Sequence, residues 1–203
     1  MVLEPLLICA AAAAIELDVV QAGQIFLSRP SVAGLLCGII GGDFVTGLQL
    51  GLCMELLTLD HVPVGGYVPP SGVIGAACAF LLARYAGFEG GYAFMLGFLA
   101  AWLFGLVETR LRHERSKWNP VIEREVLENP DALSKWVRRG FLQQFAAAFL
   151  FCMAAFFVLR EIGWLGWELL PVRLRPAFSM AYRIVPWIGI AALASLLMPR
   201  KAG

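Results

Sequence analysis

Charge is what this sequence has least of. Only 15% of its 203 residues are Asp, Glu, Lys or Arg, and 60% are hydrophobic, whereas an ordinary soluble domain carries about 25% charged residues. So little charge cannot coat a water-soluble globule, and the chain reads as one whose main solvent is lipid. The two signs nearly cancel, leaving +1, so there is no basic field to attract nucleic acid. Histidine is scarce, with two residues. The cysteines Cys9, Cys37, Cys53, Cys78 and Cys152 stand singly in apolar runs, without a CxxC pair. No metal-binding spacing, catalytic triad or phosphate loop emerges, so neither metal nor cofactor is expected; the thiols read as small buried apolar groups. The start, Met1-Val2-Leu3-Glu4-Pro5, lacks the basic stretch of a secretory signal, and Glu16 and Asp18 stand where a cleavage site would be. The first apolar run is therefore expected to be a retained membrane segment.

The fold class expected is all-α: a polytopic transmembrane protein with broken or re-entrant helices in its N-terminal third. Apolar segments run from Leu6 to about Val20, from Ser31 to Leu59, from Val73 to Ala86 and from Gly91 to Val107. The second is interrupted by Gly41-Gly42-Asp43. A continuous lipid-facing helix would not carry that tripeptide, so two short helices, about 31–41 and 45–58, should meet at a break buried in protein or beside a wet cavity. The stretch HVPVGGYVPPSG, residues 61–72, holds three prolines and three glycines and reads as a shaped loop. Residues 1–107 are thus expected as one membrane part, 108–139 as a charged loop and 140–203 as C-terminal membrane segments. Eight of the 16 basic residues fall between Arg110 and Arg139, which places that loop on the cytoplasmic side by the positive-inside rule. Asn129-Pro130-Asp131 offers a cap and first-turn proline for a short helix. Gly140–Leu159 is long enough to cross the ~30 Å hydrocarbon core. Trp164, Trp167, Tyr182, Arg173, Arg175 and Arg183 look like interfacial anchors.

Polar residues crowd into the first third: Glu16, Asp18, Gln21, Gln24, Ser28, Arg29, Asp43, Thr46, Gln49, Glu55, Asp60 and His61. Each charge at a helix centre costs roughly 2.5–3.5 kcal/mol to insert. Such a cluster must face itself or water, and usually marks an ion or substrate path.

The elements SRPSVAG, GGDFVTGLQLG, MELLTLDHVPVGG and YVPPSG, in that order between residues 28 and 72, resemble the signature of enzyme IIC, the membrane permease subunit of the mannose/fructose/sorbose phosphotransferase family. The resemblance implies a sugar permease of the bacterial inner membrane. Its partners would be the membrane subunit enzyme IID and the enzymes IIA and IIB, in an oligomeric complex, with a hexose-type sugar as substrate. Phosphate would travel on histidines of IIA and IIB, so this chain is expected to supply no catalytic residue, and His61 no phosphorylation site.

Glu55 matches the family's glutamate and is the first candidate for sugar binding, since a carboxylate takes strong charge-assisted bonds from hydroxyls. A carboxylate paired with Arg29, or capping a backbone, is the alternative. Asp18 and Gln24 stand next, either at the sugar or as polar glue between helices. Ser71 occupies a position where the family often has aspartate, keeping a hydrogen bond but losing a charge. Asp43 and Thr46 are expected to shape the break, with Asp43 capping the helix after it. Arg29 is read as an ion-pair partner for Asp18, Asp43 or Glu55. Gly65 and Gly66 are read as loop-shaping positions that let backbone approach closely. Two other readings stand beside transport by the phosphotransferase route: a diverged scaffold or regulatory membrane protein of the same system, and an ion-coupled transporter with Asp18 and Glu55 as proton carriers.

Overall fold

Gly42 adopts φ 73°, a left-handed conformation that glycine takes without strain. That turn reverses the chain between α2 (Pro30–Ile40) and α3 (Phe44–Thr58). Asp43 caps α3, its side chain accepting a 3.1 Å hydrogen bond from the amide of Thr46, which satisfies one of the free donors at a helix start. The two helices then pack backbone to backbone. Gly34 and Gly38 of α2 lie against Gly47 and Gly51 of α3, and a Cβ at Gly38 would sit 2.7 Å from the Phe44 Cα. Each helix thus carries a G-x-x-x-G face, the spacing that brings membrane helices closest. At 11 and 15 residues, these helices are only ~16 and ~22 Å long, too short to cross the bilayer singly.

The computed structural model describes residues 3–20, 28–59 and 67–197. Around the hairpin stand α1 (Leu3–Val20), α4 (Gly72–Tyr85) and α5 (Gly90–Ser116), followed by α6 (Asn119–Glu128), α7 (Ala132–Leu169) and α8 (Arg175–Leu197). All the elements among the described residues are helical. α4 is the central post. Every residue from Val73 to Leu82 is buried, as an all-round apolar helix requires, and α4 touches α1, α2, α3, α5 and α7. Cys9, Cys37, Cys78 and Cys152 are fully buried and free; the Cys78 and Cys152 sulfurs lie 3.9 Å apart. Three segments, Gly90–Ser116, Ala132–Leu169 and Val172–Ser195, are long and apolar enough to cross a membrane.

Residues 108–139 depart from the loop expected of them. α5 continues to Ser116, α6 fills 119–128 and α7 already begins at Ala132. Pairs spaced for a helix sustain α5: Arg112 Nε to Glu108 at 2.9 Å, four residues apart, and Lys117 Nζ to Glu114 at 2.7 Å, three apart. Asn129 accepts the Asp131 amide at 3.0 Å, so Asn-Pro-Asp forms a turn ahead of the helix and not its first turn. That helix is long, 38 residues or ~57 Å, and so extends well beyond the hydrocarbon core. Its base is braced by Trp118 and Trp136, with the Arg139 guanidinium 4.7 and 5.1 Å from their ring centroids.

Candidate functional site

The prolines Pro69 and Pro70 hold the chain extended as it crosses α5, and Ser71 ends the strap. The Ser71 amide donates to the Ala101 carbonyl of α5 at 3.2 Å. Its hydroxyl caps α4, accepting from the Ile74 amide at 3.3 Å, and donates to the Glu16 carboxylate of α1 at 2.7 Å. These contacts enclose a cavity of about 190 Å³ where α1, α2, α3, α4 and α5 meet. Its wall is formed by Glu16, Ser28, Pro30, Thr58, Val68, Pro69, Pro70, Ser71, Gly72, Val73, Phe104, Gly105, Glu108 and Arg112.

Two of those wall residues are buried carboxylates: Glu16 and Glu108 are each 3% exposed. Glu108 is held on both oxygens, by Arg112 Nε at 2.9 Å and by Gln144 Nε2 at 2.8 Å. Gln144, wholly buried on α7, is itself bonded through its oxygen to Arg115, and Arg115 Nε reaches Gln143 at 3.2 Å. A buried charge survives only when paired and hydrogen-bonded, and this chain of contacts does that for Glu108. Glu16 has Ser71 alone among the described residues.

Glu55 lies beside the cavity, not in its wall. One oxygen takes Arg29 Nη1 at 3.2 Å; the other takes the Ser31 amide at 3.2 Å and the Ser31 hydroxyl. Ser31 stands in the first turn of α2, where free amides and the helix dipole favour an anion. Pairing with Arg29 and capping a backbone, the two alternatives for Glu55, both describe this geometry. The cavity is nevertheless adjacent, because Thr58, three residues after Glu55, and Pro30, just before Ser31, are in its wall. Asp18 is outside the wall, and its Oδ2 is buried without a hydrogen-bond partner. Two residues from Glu16, it faces another side of α1. Gln24, Gly65 and Gly66, with Gln21, Asp60 and His61, lie outside the described residues. Asp43 and Thr46 are at the opposite end of α3. There, with Gln49, Arg84 and Tyr182, they line a second cavity of about 340 Å³, and Arg84 Nε bonds the Gly41 carbonyl at 3.0 Å.

Of the predicted site residues that are described, then, Ser71 alone enters the cavity wall, while Glu55 and Arg29 meet at its edge. Glu108 and Arg112 escaped notice because the segment after Val107 read as a solvated loop, and Gln144 because, beside Gln143, it falls within the apolar span Gly140–Leu159. A helical signal was there: Gly97, Ala101 and Gly105 recur at intervals of four, and Glu108 comes next on the same buried face. Ser71 also changes meaning. Its hydroxyl brings in a carboxyl group from Glu16, 55 positions earlier.

Long apolar helices, a broken glycine hairpin and buried carboxylates around a small cavity define a multi-pass helical membrane protein. Solved structures share the architecture. One described as a membrane protein superposes with a TM-score of 0.80 at 16% identity, over 98% of this chain and 81% of the other. The mannose transporter ManYZ, determined by cryo-electron microscopy in complex with microcin E492, gives 0.67 at 18% identity over the same shares. The sequence profile of the PTS system sorbose-specific IIC component matches residues 2–202, and the chain belongs to that family. A putative N-acetylgalactosamine permease IIC component 2 of Escherichia coli (strain K12) is 38% identical over 53 residues; that alignment covers 26% of this chain and 40% of the relative's length.

Proposed function

We propose that this chain is the sugar-translocating subunit, enzyme IIC, of a mannose/sorbose-type phosphotransferase system in a bacterial inner membrane. It would work in an oligomeric complex with enzyme IID and with the phosphate carriers IIA and IIB. The observation that carries this reading is the cavity bounded by Ser71 and lined by Glu16 and Glu108, at the end of the same stretch whose motifs carry the family resemblance. At about 190 Å³ it falls below the ~300–1,000 Å³ of pockets for drug-sized ligands, a scale that suits a monosaccharide.

In this mechanism a hexose exchanges its bonds to water for bonds to the carboxylates around Ser71. Bonds to charged acceptors are roughly twice as strong as neutral ones, which offsets the dehydration of a polyol. The α2–α3 hairpin then moves as a unit. Glu55 is the clamp of that movement: while Arg29 and Ser31 hold it, the start of α2 is fixed, and release would turn the carboxylate toward the sugar. Gln24 would extend the path from the cavity, whereas Asp18, with one oxygen unsatisfied, stands on another side of α1. With the Arg110–Arg139 region in the cytoplasm, the Glu108 end of the cavity is the inner end. The sugar then leaves toward IIB, which docks on the charged 108–139 segment and transfers the phosphoryl group. The chain supplies no nucleophile.

The test is uptake in bacteria stripped of their own hexose carriers and given this chain with IIA, IIB and IID partners. Radiolabelled mannose, sorbose and N-acetylgalactosamine are offered in turn. The expected result is intracellular sugar phosphate whose appearance requires phosphoenolpyruvate. Uptake that tracks the proton gradient and ignores phosphoenolpyruvate would support ion coupling. Intact assembly with no sugar bound would support a scaffold.

A further inference from the structure

The two carboxylates of the cavity look alike in burial but differ in what they still have to give. A carboxylate offers about four acceptor positions. In Glu108 each oxygen already carries a bond, from Arg112 and from Gln144. In Glu16 one oxygen carries the Ser71 hydroxyl, and the other accepts nothing from any described residue. Glu16 is 3% exposed and lines the cavity, so further donors can reach it from that cavity. Beyond Ser71, the donors a buried carboxylate calls for are those a molecule in the cavity would bring.

We infer that Glu16 is the principal acceptor for the substrate's hydroxyl groups, oriented by Ser71, while the Glu108–Arg112 pair forms the opposing, already neutralised wall. This rests on the sugar-transport reading and assigns its contact residue. Ser71 fixes Glu16 by a division of its hydroxyl: the proton goes to Glu16, and the oxygen takes the Ile74 amide. The carboxylate is therefore held against the first turn of α4, beside the cavity. A neutral polyol brings donors without charge. Ser71 is a positioning residue; Glu16 is the contact.

The experiment is calorimetric titration of the intact complex of this chain with its membrane partner. The probe is whichever of mannose, sorbose and N-acetylgalactosamine binds the wild type, together with its monodeoxy derivatives. Glu16→Gln is expected to weaken binding about tenfold or more, and Ser71→Ala about threefold to fivefold, as for a charge-assisted bond lost and one misaimed. In the wild type, one deoxy derivative should bind about tenfold more weakly than the parent sugar, and in Glu16→Gln that same derivative should lose less than about twofold. If Glu16→Gln does not assemble, Glu16→Asp, which keeps the charge and retracts it, should weaken the same hydroxyl's contribution selectively. Deoxy derivatives that lose affinity equally in wild type and variants would overturn the assignment while leaving sugar transport intact. A wild-type complex that binds none of the three sugars would overturn both.

Discussion

The helices α2, α3 and α4 on one side and α7 and α8 on the other are all apolar, but they use their side chains in opposite ways. In the first region helices meet through bare backbone. Gly34 and Gly38 lie on Gly47 and Gly51, and α4 is buried along almost its whole length. In the second, the most apolar stretch of α7 is 33% buried and that of α8 only 11%, against 50% for α5. Leu142, Leu150, Ile162, Trp187 and Ile188 are all at least half exposed. Lipid tails are as apolar as leucine, so such faces lose nothing by pointing outward. Polar chemistry at membrane depth needs the other arrangement, in which close-packed helices shut lipid out and leave room for a hydrated cavity. That is where Glu16, Ser71 and Glu108 are found.

The contrast can be broken at either end. Gly47→Leu puts a branched side chain into the backbone of Gly34 and Gly38 and should destabilise the folded protein by about 3 kcal/mol or more, read as lost thermal stability in detergent. Normal stability would mean that the hairpin does not pack as described. Glu55→Gln removes the charge that ties Arg29 and Ser31 together. Uptake should fall roughly a hundredfold, the equivalent of about 3 kcal/mol, with membrane insertion unchanged; wild-type rates would take Glu55 out of the mechanism. Gln144→Leu leaves a Glu108 oxygen and the Arg115 Nη2 without their partner, at a cost of about 1–3 kcal/mol. Its thermal midpoint should drop less than that of Gly47→Leu, and no drop would show that water replaces the amide. Ile188→Val, on the exposed face of α8, should move stability by less than about 0.5 kcal/mol. A larger loss would reveal a protein partner on that face, read as a shift in the complex's size on a sizing column.

Much of the hairpin is legible in the sequence. Gly-Gly-Asp announces a break because glycine readily takes the reversed turn and aspartate caps the next helix, and the helices end within a few residues of the expected positions. The cavity is legible only in part. Its proline strap and Ser71 are local signals, and the polar crowding of residues 16–61 lies in the same third of the chain. Glu55 reads from its charge alone either as a sugar ligand or as one half of an ion pair, and in this state Arg29 and Ser31 occupy it. Glu108 is hidden by its company: the polar run after it looks like a loop, whereas pairs such as Glu108–Arg112 hold it helical.

The sequence by itself determined the solvent, the helical class and the broken hairpin. These come from composition and from the conformations single residues allow. Which polar groups share a cavity was decided by tertiary structure alone. Glu16 meets Ser71 across 55 positions and Glu108 meets Gln144 across 36, and these meetings depend on the crossing of whole helices. A buried charge is tolerable only where packing delivers its partners, and no local pattern records where packing will bring them.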